Sequence, residues 1–186
     1  WDTLLTNGFI GAVAQQDSLI ALFQRSNTND TLWVSKDDGT TWASEPYTFI
    51  GNDPEVSFFH KGKLYAHSFS PAQNTLYRSD DLGKTWMGIK LEGDYFSHSV
   101  VIETKRAILT SYEILPLFGI KRSIDGGNSW VESSEGLVAN WGSFSIIDHE
   151  LCAASSAAVY QSDPDRLNWK DLKLPTLIAN ESPAYY

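Results

Sequence analysis

Three aspartates, Asp37, Asp81 and Asp125, stand 44 residues apart in matching settings. Each follows a serine by two residues (Ser35, Ser79, Ser123) and precedes a glycine by two (Gly39, Gly83, Gly127). A threonine or serine comes four residues after each aspartate (Thr41, Thr85, Ser129), with a tryptophan directly behind it (Trp42, Trp86, Trp130). A carboxylate in such company has two uses. It can exchange protons with a substrate when a second carboxylate lies opposite, or it can accept hydrogen bonds from the N–H groups of its own turn. The pattern points to the turn. Glycine supplies a backbone conformation that a Cβ would penalise, the serine hydroxyl bonds within the turn, and the tryptophan starts the next strand with its indole packed back over it. A fourth octapeptide, Ser162 to Trp169, keeps Ser and Trp at the same separation but moves its acid to Asp165 and has no glycine.

Other reactive residue types do not assemble into a pattern. His60, His67, His98 and His149 lack the spacing of metal ligands. The acidic pairs of the octapeptides look superficially like a calcium loop, but the remaining ligands of an EF-hand are missing. Neither a Gly-x-Ser-x-Gly elbow nor a phosphate-cradling glycine loop occurs. No metal and no cofactor are expected. Cys152 is the only cysteine, so no intrachain disulfide forms, and its neighbours Leu151 and Ala153 predict a buried strand position.

Composition narrows the partners. Acidic residues outnumber basic ones by 23 to 14, a formal charge of −9, and no stretch concentrates Lys or Arg. Nucleic acid and anionic membrane surfaces both need clustered cations and are disfavoured. No apolar run is long enough for a membrane span. Aromatic residues make up 13% of the chain, which suits β structure and stacking on ligands. The chain opens on Trp1 without a signal-peptide pattern, as expected of a processed product or a piece of a longer protein.

The elements that must hold these turns recur with them. Four candidate strands flank each octapeptide: residues 11–16, 19–25, 31–36 and 41–45, then 56–61, 63–70, 75–80 and 85–91. The third set is 98–104, 106–113, 118–124 and 129–134, and the last is 142–148, 150–157, 158–163 and 168–174. The runs are β-branched and aromatic with turn residues between them. All seven prolines are expected outside the strands. No segment sustains the 3.6-residue apolar period of a helical solenoid. Four antiparallel strands in about 44 residues match one β-propeller blade. The expected fold is therefore all-β, a propeller with blades near 9–46, 47–91, 92–134 and 135–174 and a tail over 175–186.

The octapeptides resemble Asp boxes, or BNR repeats, of the sialidase-like superfamily, and the resemblance runs from about Phe9 to Leu174. In that family the box joins the third and fourth strands of a blade, as in the strand assignment above. Members include sialidases, other glycoside hydrolases, sorting receptors, photosystem assembly factors and lectin-like modules. Resemblance to sialidases implies three converging arginines for a substrate carboxylate, with a Tyr–Glu pair and an Asp acid/base. The chain has five arginines. Arg78 and Arg122 directly precede box serines and Arg166 lies within the fourth box. Arg106 also falls toward the box face, opposite the active site of such enzymes, and the N-terminal Arg-Ile-Pro signature is missing. A self-sufficient sialidase is not expected. Family propellers usually have six or more blades, so four blades are compatible with a small closed ring, with pairing of two chains, or with a fragment.

Ligands of propellers commonly bind the face away from the boxes. The connections expected there mix aromatic and acidic groups: residues 46–55, 92–97 and 135–141. Tyr47, Asp53, Asp94, Tyr95, Phe96 and Trp141 are the candidate ligand contacts, through ring stacking and hydrogen bonding. Packing between blades is the competing role for the aromatic rings. The triplets Asn29-Asp30-Thr31 and Asn180-Glu181-Ser182 match the N-glycosylation pattern. The function expected is a non-catalytic scaffold or recognition module for glycan or protein ligands, secreted, surface-exposed or virion-associated. The alternatives are a fragment of a glycoside hydrolase, whose remaining blades would complete the site, and a purely structural assembly subunit. Further blades or a second copy of the chain are its expected structural partners.

Overall fold

The computed structural model describes residues 8–26, 30–47, 54, 56–70, 73–91, 101–114, 117–137, 142–147, 150–155, 158–163 and 168–173. Among them there is no helix. The strands form four separate four-stranded antiparallel sheets, each in simple up-and-down order. The first sheet holds β1 (Phe9–Gln16), β2 (Leu19–Arg25), β3 (Thr31–Ser35) and β4 (Ala43–Pro46). The second holds β5 (Val56–His60), β6 (Lys63–Ser70), β7 (Gln73–Ser79) and β8 (Met87–Lys90). The third holds β9 (Val101–Glu103), β10 (Ile108–Ile114), β11 (Leu117–Ser123) and β12 (Val131–Glu132). The fourth holds β13 (Gly142–Ile147), β14 (Glu150–Ser155), β15 (Val159–Ser162) and β16 (Lys170–Asp171).

The octapeptides join the third and fourth strands of every sheet, as the repeat predicts. Two local expectations are corrected. The tryptophans do not start the fourth strands: β4, β8, β12 and β16 begin one residue later, at Ala43, Met87, Val131 and Lys170. Pro46 lies inside β4, as its last residue opposite Thr31, not outside the strands. β4 is the outer strand of its sheet, where a missing N–H leaves no ladder bond unmade.

Residues 1–134 and 135–186 form two compact units. In the first unit the three sheets adjoin along their first strands, with β1 against β5 and β5 against β9. The core lies between sheets. Strand alternation turns Ala12, Ala14, Phe23, Leu32 and Val34 of the first sheet inward. They meet Phe59, Leu64 and Ala66 of the second. On its other side the second sheet sends Tyr65, Leu76, Ile89 and Leu91 against Val101 and Ile108 of the third. Full burial of a Leu or Phe side chain contributes about 1.5–3 kcal/mol, so these shared layers, more than the ladders, bind sheet to sheet. In the second unit Leu151 and Tyr160 are buried. Cys152, expected in a buried position, is half-buried on β14, because alternation directs its neighbours Leu151 and Ala153 to the inner face.

Candidate functional site

The three full octapeptides fold into nearly superimposable hydrogen-bonded turns. In the first, the Ser35 hydroxyl donates to Asp37 Oδ1 at 2.8 Å and accepts from the Gly39 N–H at 2.8 Å. Asp37 also accepts from the Thr41 N–H at 2.8 Å and the Thr41 hydroxyl at 2.6 Å. In the second, Ser79 donates to Asp81 at 2.8 Å and accepts from Gly83 at 2.7 Å, and Thr85 gives Asp81 bonds of 2.8 and 2.7 Å. The third repeats this with Ser123, Asp125, Gly127 and Ser129, at 2.6 to 2.9 Å. The serines are fully buried, so each hydroxyl both gives and receives a bond where water cannot substitute.

The electrostatics follow from the donors. Bonds from Thr85 and Ser79 hold the Asp81 carboxyl at about 2, and bonds from Ser129 and Ser123 do the same for Asp125. The Asp37 carboxyl is lowered likewise, chiefly by the Thr41 hydroxyl and N–H. These carboxylates stay ionised and committed to their own turns, which makes them poor proton donors to any substrate.

The chain crosses each turn with two successive residues at positive φ: Asp38 (55°) and Gly39 (82°), Leu82 (60°) and Gly83 (96°), Gly126 (75°) and Gly127 (90°). The glycines are also steric requirements. A Cβ on Gly83 would run into Leu32 of the preceding sheet, and one on Gly127 would stand 2.7 Å from Ile89 Cδ1. Leu82 packs onto the core shared with the first sheet. Within residues 8–134 the second and third turns are therefore wedges seated on the sheet before them.

Polar groups complete the seating. Arg78 donates to the Gly126 carbonyl at 3.0 Å and to Asn128 Oδ1 at 3.1 Å, and its Nε lies 3.1 Å from Asp80 Oδ1. The Tyr65 hydroxyl reaches the same Gly126 carbonyl at 3.2 Å, and burial pushes that phenol's pKa up. Lys61 Nζ donates to the carbonyls of Arg106 and Ile124 at 3.3 Å each. At the ends of the first strands, Gln16 accepts from the Gly62 N–H at 3.2 Å, and His60 Nδ1 lies 3.2 Å from Glu103 Oε1. His60 is 1% exposed, and burial raises the Glu103 carboxyl above its usual range. Sequence reasoning did not foresee these ties between sheets. Its one usable signal was Arg78 and Arg122 in equivalent positions before box serines.

The tryptophans differ by copy. Trp42 and Trp86 donate their indole N–H to Gly39 and Gly83 at 2.9 and 3.0 Å. Trp130 Nε1 is buried and has no hydrogen-bond partner among the described residues. In the fourth octapeptide Ser162 is buried and donates to its neighbour's carbonyl, on Asp163, at 3.2 Å. Trp169 covers Gly136, whose added Cβ would lie 3.7 Å from Trp169 Cβ.

Of the candidate ligand contacts, Tyr47 is 5% exposed and set edge-on to Phe23 with ring centroids 5.3 Å apart. It is a core residue, because the chain leaving β4 folds its ring into the layer between sheets. Asp53, Asp94, Tyr95, Phe96 and Trp141 lie outside the described residues, as does Asp165 of the fourth octapeptide. Among the described residues no group of His, Cys, Asp and Glu could hold a metal ion. No helix there is long and apolar enough to cross a membrane.

Four-stranded up-and-down sheets in tandem, with the first strands of the first three adjoining within residues 1–134, are the arrangement of β-propeller blades. Solved structures agree. YCF48 bound to a D1 peptide aligns at TM-score 0.58 and 15% identity over 91% of this chain and 56% of its own. YCF48 from Cyanidioschyzon merolae aligns at 0.57 and 17% identity, over 91% and 57% respectively. The GH74 xyloglucanase from Xanthomonas campestris aligns at 0.58 and 13% identity, over 88% of this chain and 30% of its own. The chain thus spans a little over half the length of the YCF48 structures it matches. No family model and no curated protein matches the sequence.

Proposed function

We propose that this chain is a non-catalytic Asp-box propeller module that recognises a protein segment on the face away from its box turns. One observation carries the reading: all three Asp-box carboxylates accept three hydrogen bonds from their own turns, so the repeated acids serve the scaffold and leave recognition to the loops. The peptide-bound state of a similar structure supports a protein ligand over a small molecule. Asp53, Asp94, Tyr95, Phe96 and Trp141 are the proposed contacts, the aromatic rings providing area and the acids orientation. A secreted or surface setting goes with this role.

The likeness to GH74 enzymes favours a second reading, in which these blades are part of a glycoside hydrolase. A displayed peptide library together with xyloglucan hydrolysis separates the two. The recognition reading expects selected peptides whose binding weakens about tenfold or more in Tyr95→Ala and Trp141→Ala, with no reducing sugar released. Hydrolysis without peptide selection would overturn it.

A further inference from the structure

Between the first and second box turns lies a cleft of about 360 Å³, lined on one wall by Thr41, Trp42, Ala43 and Glu45 and on the other by Leu82 and Lys84, with Lys36 and Asp81 on it as well. It sits beside the box turns, and none of its lining residues named above is among the proposed peptide contacts. Its size is in the range of small-ligand sites, at the lower end.

The chemistry of the walls is specific. Trp42 is half-buried, and its indole N–H is spent on the Gly39 carbonyl, so the ring is immobilised and offers apolar surface only. Val34 and Leu82 extend that apolar surface. Asp81 already accepts three hydrogen bonds, from Ser79 and Thr85. The Thr41 hydroxyl donates to Asp37 and keeps acceptor capacity. The polar groups left for a ligand are the ammonium groups of Lys36 and Lys84, the carboxylate of Glu45 and the Thr41 oxygen. Two ammonium groups and two carboxylates, counting Asp81, line the cleft, so its formal charge is zero. A rigid aromatic and aliphatic surface beside strong donors and acceptors of balanced charge suits a ligand with one C–H face and a rim of hydroxyls.

We infer that this cleft binds one neutral pyranose residue, its C–H face against Trp42 and its hydroxyls on Glu45, Lys36 and Lys84. The pinned indole lowers the ordering cost of stacking, and neighbouring hydroxyls of a sugar can bond to a carboxylate and an ammonium group together.

The test uses the full chain with methyl β-glucoside, β-galactoside and α-mannoside as probes, followed by saturation-transfer and amide-shift NMR. At least one glycoside is expected to receive saturation on its C–H face and to shift the Trp42 indole with amides of residues 34–45 and 81–84. Glu45→Gln and Lys84→Met replace side chains outside the core, and retention of the wild-type amide pattern shows that they fold. Each is expected to weaken binding about tenfold, the loss of one charge-assisted hydrogen bond. Shifts confined to other residues, no shifts at millimolar glycoside, unchanged affinity in both variants, or displacement by benzoate would each overturn the assignment. Peptide selection at the opposite face is scored separately, so one result can fail without the other.

Discussion

The Arg78 guanidinium donates to the Gly126 carbonyl at 3.0 Å, joining the third strand of one blade to the box turn of the next. Tyr65 donates to that same oxygen from a neighbouring strand. One carbonyl thus collects two donors from the preceding blade, and the turn cannot lift without losing both.

This shared acceptor predicts non-additivity. Tyr65→Phe should cost about 1 kcal/mol and Arg78→Met roughly 2 kcal/mol, because either variant leaves Gly126 one donor. The double variant strips the carbonyl of both and should cost more than the sum, with a coupling of about 0.5 kcal/mol or more. Urea unfolding of the four proteins measures it. Simple additivity would mean that the two bonds are independent of the carbonyl they share.

Acid should loosen the boxes in a defined window. Asp81 and Asp125 are held at about 2 in the folded chain against an ordinary 3.8, so their folded values are depressed. Their contribution is complete above the unfolded value and declines as pH falls from about 4 towards 2. Melting temperatures across this window should drop steeply in the natural chain. The Asp81→Asn, Asp125→Asn protein should start less stable and show a shallower decline, and parallel curves would refute the assignment.

Two glycines separate conformational strain from collision. Gly62 has φ 75° with open space where a methyl group would stand, whereas Gly83 has φ 96° and faces Leu32. Gly62→Ala should cost about 1–2 kcal/mol for the left-handed backbone alone. Gly83→Ala adds overpacking and should cost roughly 2–4 kcal/mol. Truncation of Leu32 to Ala, destabilising by itself, should recover part of the Gly83→Ala loss and none of the Gly62→Ala loss.

The box serines should rank by their partners. Ser79→Ala removes a buried hydroxyl that bridges Asp81 and the Gly83 N–H, and it should cost about 1–3 kcal/mol. Among the described residues Ser162 makes one bond, to the Asp163 carbonyl, and the loss of that bond in Ser162→Ala should cost about 1 kcal/mol or less. Equal losses in denaturant titrations would show that the fourth octapeptide is as fully bonded as the second.

The blades were legible in the sequence because the information was repeated. Ser, Asp, Gly and Trp at fixed offsets state a turn three times, and the alternating runs around them bracket the strands. Ladder and turn chemistry are local, so residue types a few positions apart suffice. The seating of one blade on another is not local. Nothing near Gly83 announces that Leu32, about fifty residues earlier, occupies the space of its missing side chain, and nothing near His60 announces Glu103. Tyr47 shows the same limit: an aromatic ring after an edge strand looks like a ligand contact until Phe23 is found against it. Trp42 and Trp86 sit one residue ahead of their strands because an indole bonded to the turn's glycine carbonyl belongs to the turn.

The wedge seating has a direction. The second turn closes onto Leu32 and the third onto Ile89, each a residue already made when the turn leaves the ribosome. At these two turns a nascent chain therefore meets the docking surface of the turn's glycine behind it. Synthesis from the N-terminus and blade assembly run the same way, which limits the time any half-built blade edge is open to a wrong partner.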